Sequence, residues 1–522
     1  MKIALISLGN FRCHAVHLLH TLLERDGFDV RSFLFKAAPF RATPYEVDLL
    51  VRLVSEHEPE LIGISLISTF YKLACTVTGK LRERCNATIA WGGIHPTIRP
   101  EDCLKHADVV CVGEGEGAMV ELARALRANP KADALPIKNL WFSTGDGMIK
   151  NEIRPLLQDL DSLPIPNHLS PDKVFIDANR MLDFHSRADL VETYDTMTSR
   201  GCPFGCDYCA NDFLRRLYRD KGSYIRRRSV AHVMGELRLA RDRYPNLQEI
   251  AFSDDVFTFD DTWLEEFCER YKREIRLPLL CYAHPNMVRD STMKLLKDGG
   301  LKYVIMGIQS GSSRIREEFF GRRSSEQKIL NAASILRKYR FRVAYDFISE
   351  NPYETDDDRR ETVKLITKLP RPFQLHLFSL GMFPGTKLTE RALREGAIRL
   401  EDVECMSEKG YELFGGSLHL GREDKLLVWD VLYFLAKRGV PARTLLVLSR
   451  TKFFVQHIRT VTKMLRYLPL DYYGFLTYSV HNRLNFFIFR VFGYARMLRR
   501  GSWRFCFRKI KQRIMKQEDT HL

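Results

Sequence analysis

The sequence predicts an α/β protein built from two units in series: an open parallel sheet, then a partial barrel of six βα repeats, followed by a helical region rich in basic and aromatic residues. Three observations carry this. Short apolar runs alternate with helically spaced stretches in two separate series. A proline-rich, polar stretch divides the series. The charge excess of the whole chain lies in its last hundred residues. At 522 residues, 45% apolar and 28% charged, the chain has room for about three domains and the composition of a folded protein, which excludes a disordered, collagen-like or solenoid chain.

In the first series, residues 2–8, 28–35, 60–66, 87–92 and 107–112 read as strands, separated by the helical patterns 15–25, 46–56 and 71–84. Small residues stand where these strands end, at Ser65, Gly92, Gly93 and Gly113, and the carboxyl edge of such a sheet is where a ligand lies. Residues 1–142 are therefore expected to form a Rossmann-like domain and 143–190, with RPLLQDLDSLPIPNHLSP, a connector. The second series, 191–395, has LVETYDTMTS, EIAFS, LPLLCYA, KYVIMGI, FRVAYDFIS and FQLHLFSL as strands with charged amphipathic stretches between them. This is the pattern of a partial (βα)6 TIM-type barrel with its chemistry on the loops after the strands. From 396 to 522 the pattern is helical, basic and aromatic-rich.

Residues 431–522 hold 19 Lys and Arg against three acids, and the rest is balanced at 62 of each, out of 81 basic and 65 acidic residues in all. A neutral body with a basic end points to an anionic surface. Arg483 and Arg490 share a helix face, with Phe486, Phe487, Phe489 and Phe492 between them, which suits peripheral contact with a membrane through 431–522. Packing of the same helices on the barrel is the competing reading. Nucleic acid is disfavoured because no RNA-binding motif accompanies the arginines. Met1 and Lys2 run straight into IALISLG, too short for a secretory h-region, and no apolar run reaches about 18 residues, so a cytoplasmic location is expected. Reduced cysteines follow from that location.

Directly after the first strand of the second series stands SRGCPFGCDYCAND, which sets Cys202, Cys206 and Cys209 in a CxxxCxxC spacing. Structural zinc is the bland alternative, but it wants a fourth ligand, and the other nine of the 12 cysteines are scattered singly. Three thiolates in one tight loop can hold three corners of a cubane cluster and leave the fourth iron open. With Tyr208 before the last cysteine, SDD (Ser253, Asp254, Asp255), GIQSGS (307–312), DFISENPYET and FPGTKL in order, residues 190–395 resemble the radical S-adenosylmethionine (SAM) superfamily. The resemblance implies a 4Fe-4S cluster on Cys202, Cys206 and Cys209 and SAM chelated at the open iron. It further implies SAM contacts from Tyr208, Asp254, Asp255, Gln309, Ser310 and Ser349, and an external electron donor such as flavodoxin or ferredoxin. Many relatives have GIESGS where this chain has Gln309.

The first series, with GISLIST, WGGIHPTIRPEDCL and ADVVCVGEGEGAM, resembles the cobalamin-binding domain that precedes the barrel in one subgroup of that superfamily. Ser65, Gly92, Gly93, His95, Gly113, Glu114 and Glu116 are the expected cobalamin contacts. The Asp-x-His-x-x-Gly frame that supplies a histidine to cobalt elsewhere is absent, so neither His14 nor His17 is expected to bind cobalt. NAD is disfavoured because no G-x-G-x-x-G opens the first helix. Together the resemblances imply a cobalamin-dependent radical SAM enzyme that C-methylates an unactivated carbon of a lipid-like or secondary-metabolite substrate. The alternative is a cyclase or rearrangement enzyme with the same cofactors; a tRNA-modifying enzyme and a non-catalytic cobalamin sensor rank lower.

Overall fold

Alternation along the first strands assigns their side chains to two cores. In β1 (Lys2–Leu8), Ile3 and Leu5 enter one apolar cluster and Ala4, Ile6 and Leu8 the other, so the strand is buried on both faces. The computed structural model describes residues 1–9, 13–35, 42–130, 134–145, 147–177, 179–183, 188, 191–403 and 423–467. Strands β2 (Asp29–Phe35), β3 (Leu61–Ser65), β4 (Thr88–Gly92) and β5 (Val109–Cys111) join β1 in a parallel array. Helices α1 (His14–Arg25), α2 (Pro44–Ser55), α3 (Tyr71–Arg82), two short helices, α4 (Ile94–Ile98) and α5 (Pro100–Cys103), and α6 (Glu116–Ala128) connect them. Trp91, fully buried on β4, donates its indole N–H to Thr78 at 3.1 Å, which satisfies the one polar atom of that large side chain.

The segment expected as a connector does more than connect. Hairpin β6–β7 (Leu140–Thr144, Gly147–Lys150) adds antiparallel to β5, and β8–β9 (Lys173–Asp177, Arg180–Asp183) adds to β2, making a nine-stranded sheet in the order β7-β6-β5-β4-β3-β1-β2-β8-β9. Both parallel edges are thereby covered.

The second sheet is parallel throughout, in the order β10 (Thr193–Thr196), β13 (Glu249–Phe252), β14 (Leu279–Ala283), β15 (Leu301–Gln309), β16 (Arg342–Ser349), β17 (Gln374–Ser379). Between the first two lie a two-stranded ribbon, β11 (Ser199–Arg200) with β12 (Arg226–Arg227), and helix α7 (Ala210–Leu217). Helices α8 (Val230–Arg243), α9 (Asp261–Glu274), α10 (Asp290–Asp298), α11 (Glu326–Lys338) and α12 (Asp356–Lys368) cover one face, where Phe252, Cys281, Met306, Tyr345, Phe347 and Leu377 form a continuous core with them. At about 1.5–3 kcal/mol for each large apolar side chain removed from water, this face holds the barrel wall together. The opposite face has no such helical cover among the described residues.

The helix over 424–437 adds Leu427, Trp429, Val431, Leu432, Tyr433 and Phe434 to that core, and Arg371 donates to the carbonyls of Ala436 and Lys437 at 2.8 Å each. The beginning of the stretch expected to meet a membrane is therefore barrel core, because this helix is apolar around most of its circumference. Arg483, Arg490 and the phenylalanines between them lie outside the described residues. Among the described residues no helix is long and apolar enough to cross a membrane.

Candidate active site

The chain leaves β10, turns at Met197–Thr198 and enters β11, and the three cysteines follow. Gly201, at φ +88°, is the pivot: a Cβ there would overlap the Tyr224 carbonyl, so the turn into Cys202 requires glycine. Cys206 is buried, Cys202 and Cys209 are half-buried, and all three thiols are free. Cys209 N–H donates to the Cys206 carbonyl at 3.0 Å, and Cys209 caps α7. Arg215, on α7, reaches back to the carbonyl of Cys202 and stiffens the loop.

The surroundings suit thiolate ligands. Burial pushes the Cys202 thiol up to about 12 and also raises Cys209, so these sulfurs become thiolates only against a positive partner such as a metal cluster. Two donors already aim at sulfur: Asn211 Nδ2 at Cys209, 3.7 Å, and Arg322 Nη1 at Cys206, 3.6 Å. Donors to cluster sulfurs are what tune an iron–sulfur centre. Among the described residues no three His, Cys, Asp or Glu side chains, the three cysteines included, stand close enough together to hold a metal ion. Phe204 stacks on His284 with ring centroids 3.6 Å apart, covering one flank.

The residues expected at SAM divide into two sets. Tyr208 and Asp255 border the cysteines, and Gln309 lies one step away, beside the Gly307 backbone that Arg322, the donor to Cys206, also contacts. Tyr208 packs edge-on against Phe320, 4.8 Å between centroids. Asp255 stands beside Cys202, Cys209 and Asn211; burial of its carboxyl raises it, the hydrogen bond to Asn211 opposes that, and the neighbouring Asp254 adds to it. Gln309 ends β15 at φ +73° with its amide folded into the space that a Cβ on Gly307 would need. The second set, Asp254, Ser310 and Ser349, is engaged in hydrogen bonds inside the protein.

Asp254 is 1% exposed and accepts from Thr198 N (3.0 and 3.1 Å), Thr198 Oγ1 (2.7 Å) and the Ser199 hydroxyl, bracing the turn before Cys202. Ser310 is buried and accepts from Ser312 N, while Ser312 donates to Asp358 at 2.6 Å and ties the loop to α12. Ser349 shares the parity of Tyr345 and Phe347, so it points into the helical core, where its hydroxyl meets the Phe378 carbonyl at 3.4 Å.

The first sheet ends close to this loop. Ser65 lies 3.6 Å from the Cys13 sulfur and remains half-buried at its strand end. Gly92 is roomy, and Gly93, at φ +105°, sits under the Leu66 carbonyl. His95 meets Ser68 through Nδ1 at 3.0 Å, its Nε2 is buried without a hydrogen-bond partner, and burial takes its pKa down to about 4, so the ring is neutral. An unpartnered buried ring nitrogen beside two glycines suits an additional polar group at this edge.

Gly113, Glu114 and Glu116 depart from expectation. The space beside Gly113 is filled by the Tyr218 hydroxyl, which accepts from Glu114 N at 2.7 Å. The Glu114 carboxylate pairs with Arg226 at 2.8 Å and Arg200 at 3.0 Å, and Glu116 pairs with Arg200 at 2.7 Å. Burial alone would raise the Glu114 carboxyl, but the two guanidinium groups hold it below its usual range. These acids latch the first sheet to the cysteine loop.

Three consecutive arginines complete the junction by going three ways. Arg226 takes Glu114; Arg227 lies over Trp263 and Phe259 at 3.9 and 4.4 Å from the ring centroids; Arg228 pairs with the buried Glu236 at 2.5 Å. Tyr194 and Thr196 donate to the same Glu236. His14 faces this network across a cavity of about 30 Å³, room for about two waters, and burial lowers its pKa to about 4. Sequence reasoning missed Arg200, Arg226, Arg322 and Asn211; the arginine immediately before Gly201–Cys202 and the Arg226–Arg228 run were the available signals.

Residues 196–366 match the Radical SAM superfamily and 14–123 the B12 binding domain. An uncharacterised methyltransferase of Pyrococcus horikoshii is 30% identical over 353 residues, 66% of this chain and 72% of the relative. The bacteriochlorophyllide d C-8(2)-methyltransferase of Chlorobaculum tepidum is 22% identical, covering 68% of this chain and 75% of its own. The fold of the radical SAM methyltransferase TsrM from Kitasatospora setae, solved with cobalamin and a [4Fe-4S] cluster, superposes with a TM-score of 0.62 at 17% identity, over 89% of this chain and 98% of that one.

Proposed function

The chain belongs to the cobalamin-binding branch of the radical SAM superfamily, and from that premise we propose that it C-methylates an unactivated carbon of a lipid-like or secondary-metabolite substrate. It is an enzyme whose cofactors are a 4Fe-4S cluster, SAM and cobalamin. When bound, these groups supply one-electron cleavage of SAM and carriage of a methyl group. In our reading Cys202, Cys206 and Cys209 hold the cluster, Arg322 and Asn211 donate to its sulfurs, Tyr208, Asp255 and Gln309 border SAM, and Ser65, Gly92 and His95 border cobalamin.

The observation that supports methylation is the latch of Glu114 and Glu116 onto Arg200 and Arg226. It ties a loop at the carboxyl edge of the first sheet to the loop of the three cysteines, so both edges open on one junction. Methyl transfer between two cofactors needs such a shared junction. The bacteriochlorophyllide and Pyrococcus relatives, both named methyltransferases, lend the same reading their weight.

The test is a product count. Protein reconstituted without oxygen and given SAM, cobalamin and a strong reductant should yield both S-adenosylhomocysteine and 5′-deoxyadenosine by mass spectrometry. Formation of 5′-deoxyadenosine alone would favour the cyclase or rearrangement reading. The electron is expected from a flavodoxin- or ferredoxin-type donor. Peripheral membrane contact through the basic end is part of the same proposal: removing 468–522 should abolish flotation with anionic liposomes, and equal flotation of both forms would refute it.

A further inference from the structure

The concave face of the second sheet carries hydrogen-bonded pairs between neighbouring strands. Thr193 donates to Glu249 at 2.9 Å, Ser253 to Asp195 at 2.6 Å, Arg342 to Tyr303 at 2.9 Å, and His376 Nδ1 lies 2.9 Å from Asp346 Oδ1. Their partners by alternation, Ile250, Tyr345, Phe347, Leu375 and Leu377, all point into the helical core, which fixes the direction of the polar set.

The last of these pairs differs from a structural bridge. Asp346 and His376 are register partners in the middle of β16 and β17, and their side chains keep 17% and 27% of their surface accessible. The carboxylate accepts a hydrogen bond from Nδ1–H, and in that tautomer Nε2 is the lone-pair acceptor. Among the described residues Nε2 has no hydrogen-bond partner. Around the pair stand Ile305, Ala344, Ile348 and Phe378, all on concave positions. Ile348, two residues or about 7 Å further up β16, packs against the apolar cluster of Phe319, Phe320, Leu380 and Met382, on which Tyr208 of the cysteine loop also packs.

We propose that His376 Nε2, oriented by Asp346, receives a hydroxyl group of the substrate and sets the adjoining apolar part beneath the cysteine loop. Asp346 is a positioning residue. An imidazole acceptor next to a carboxylate selects a hydrogen-bond donor over an anion, and its apolar flanks accept an alkyl or terpenoid-like body. The substrate class is thus a hydroxylated, otherwise apolar molecule. This rests on the radical SAM reading of the same barrel.

The experiment uses the full chain with its cluster and cobalamin loaded, and two matched probes, 1-decanol and decyl methyl ether. They share chain and oxygen and differ in the O–H. Calorimetry should find the alcohol bound about tenfold more tightly than the ether, the size of one well-made hydrogen bond. His376→Phe should erase the difference while still binding both. His376→Gln, whose amide oxygen can accept, should keep part of it, and Asp346→Leu should weaken it. No alcohol binding, equal affinities for the native chain, or discrimination that survives His376→Phe and His376→Gln unchanged would each overturn the subsite. Release of 5′-deoxyadenosine by the same samples separates the two claims: release without discrimination defeats the subsite alone, and no release defeats the enzyme reading.

Discussion

The two parallel sheets of this protein treat their faces differently. The first is buried on both faces and extended at both edges by hairpins, so its backbone and side chains are available to a ligand only at the strand ends. The second has one face under five helices, while the other displays polar pairs along the strands themselves. A sheet closed on all sides can cradle a cofactor at its rim; a sheet with an open concave wall can also grip a substrate along its length.

That contrast can be broken most forcefully at the rim of the second sheet. Cys206→Ala should remove one corner of the cluster and abolish 5′-deoxyadenosine formation to background, with iron content and visible absorption falling together. Far-ultraviolet circular dichroism should not change, since the loop lies outside both cores. Retained turnover with normal iron would end the assignment of Cys206.

Acid sharpens the comparison next. His14 and His95 keep pKa values of about 4, and His20 and His168 about 3, because burial disfavours their charged forms; the barrel has His284, at about 2. Unfolded, each ring titrates near 6.5. Between that value and the folded one the unfolded chain holds more protons, so stability falls as pH drops, by about 1.4 kcal/mol per pH unit for each ring. Urea unfolding at about pH 7 and about pH 5 should therefore weaken the first sheet and its seam more than the barrel. Equal losses from the two would contradict the assignment of these rings as buried and neutral.

The latch is a smaller lever. Arg226→Ala leaves Glu114 partly buried with only Arg200, and is expected to cost about 2 kcal/mol, below the range for a fully orphaned charge. The signature is a calorimetric transition that splits into two, one for each sheet; a single transition lowered as a whole would mean the sheets are coupled elsewhere. Smallest are the two capping boxes, Thr43 with Glu46 on α2 and Thr355 with Asp358 on α12. Thr43→Ala and Thr355→Ala should each cost about 1 kcal/mol in urea titrations. A difference of more than about 1 kcal/mol between them would locate extra strength in the bonds of Ser312 and Arg314 to Asp358.

Much of this was legible because it is local. Five strands of the first sheet and all six of the second follow from apolar runs, and CxxxCxxC declares its chemistry by spacing. The hairpins at 140–150 and 173–183 escaped notice because edge strands such as Gly147–Lys150 are exposed and have no apolar face to read. The ion pairs of Glu114 are not legible in the sequence because its partners stand 86 and 112 residues away, and no periodicity reports such a pairing. The bonds of Asp254 to Thr198 and Ser199 are hidden for the converse reason: an acid in a loop after a strand looks the same in sequence whether it meets a cofactor or a neighbouring loop. The Asp346–His376 pair hid in two strands whose apolar residues drew all the attention.

The tyrosine beside Gly113 has a consequence for how this lineage can drift. With the Tyr218 hydroxyl standing where a side chain at 113 would begin, the two positions form one unit of inheritance across the domain boundary. A relative with alanine or serine at 113 must carry something shorter than tyrosine at 218, and one that keeps the tyrosine must keep the glycine. The domains cannot be shuffled freely among homologues unless both halves of that contact travel together.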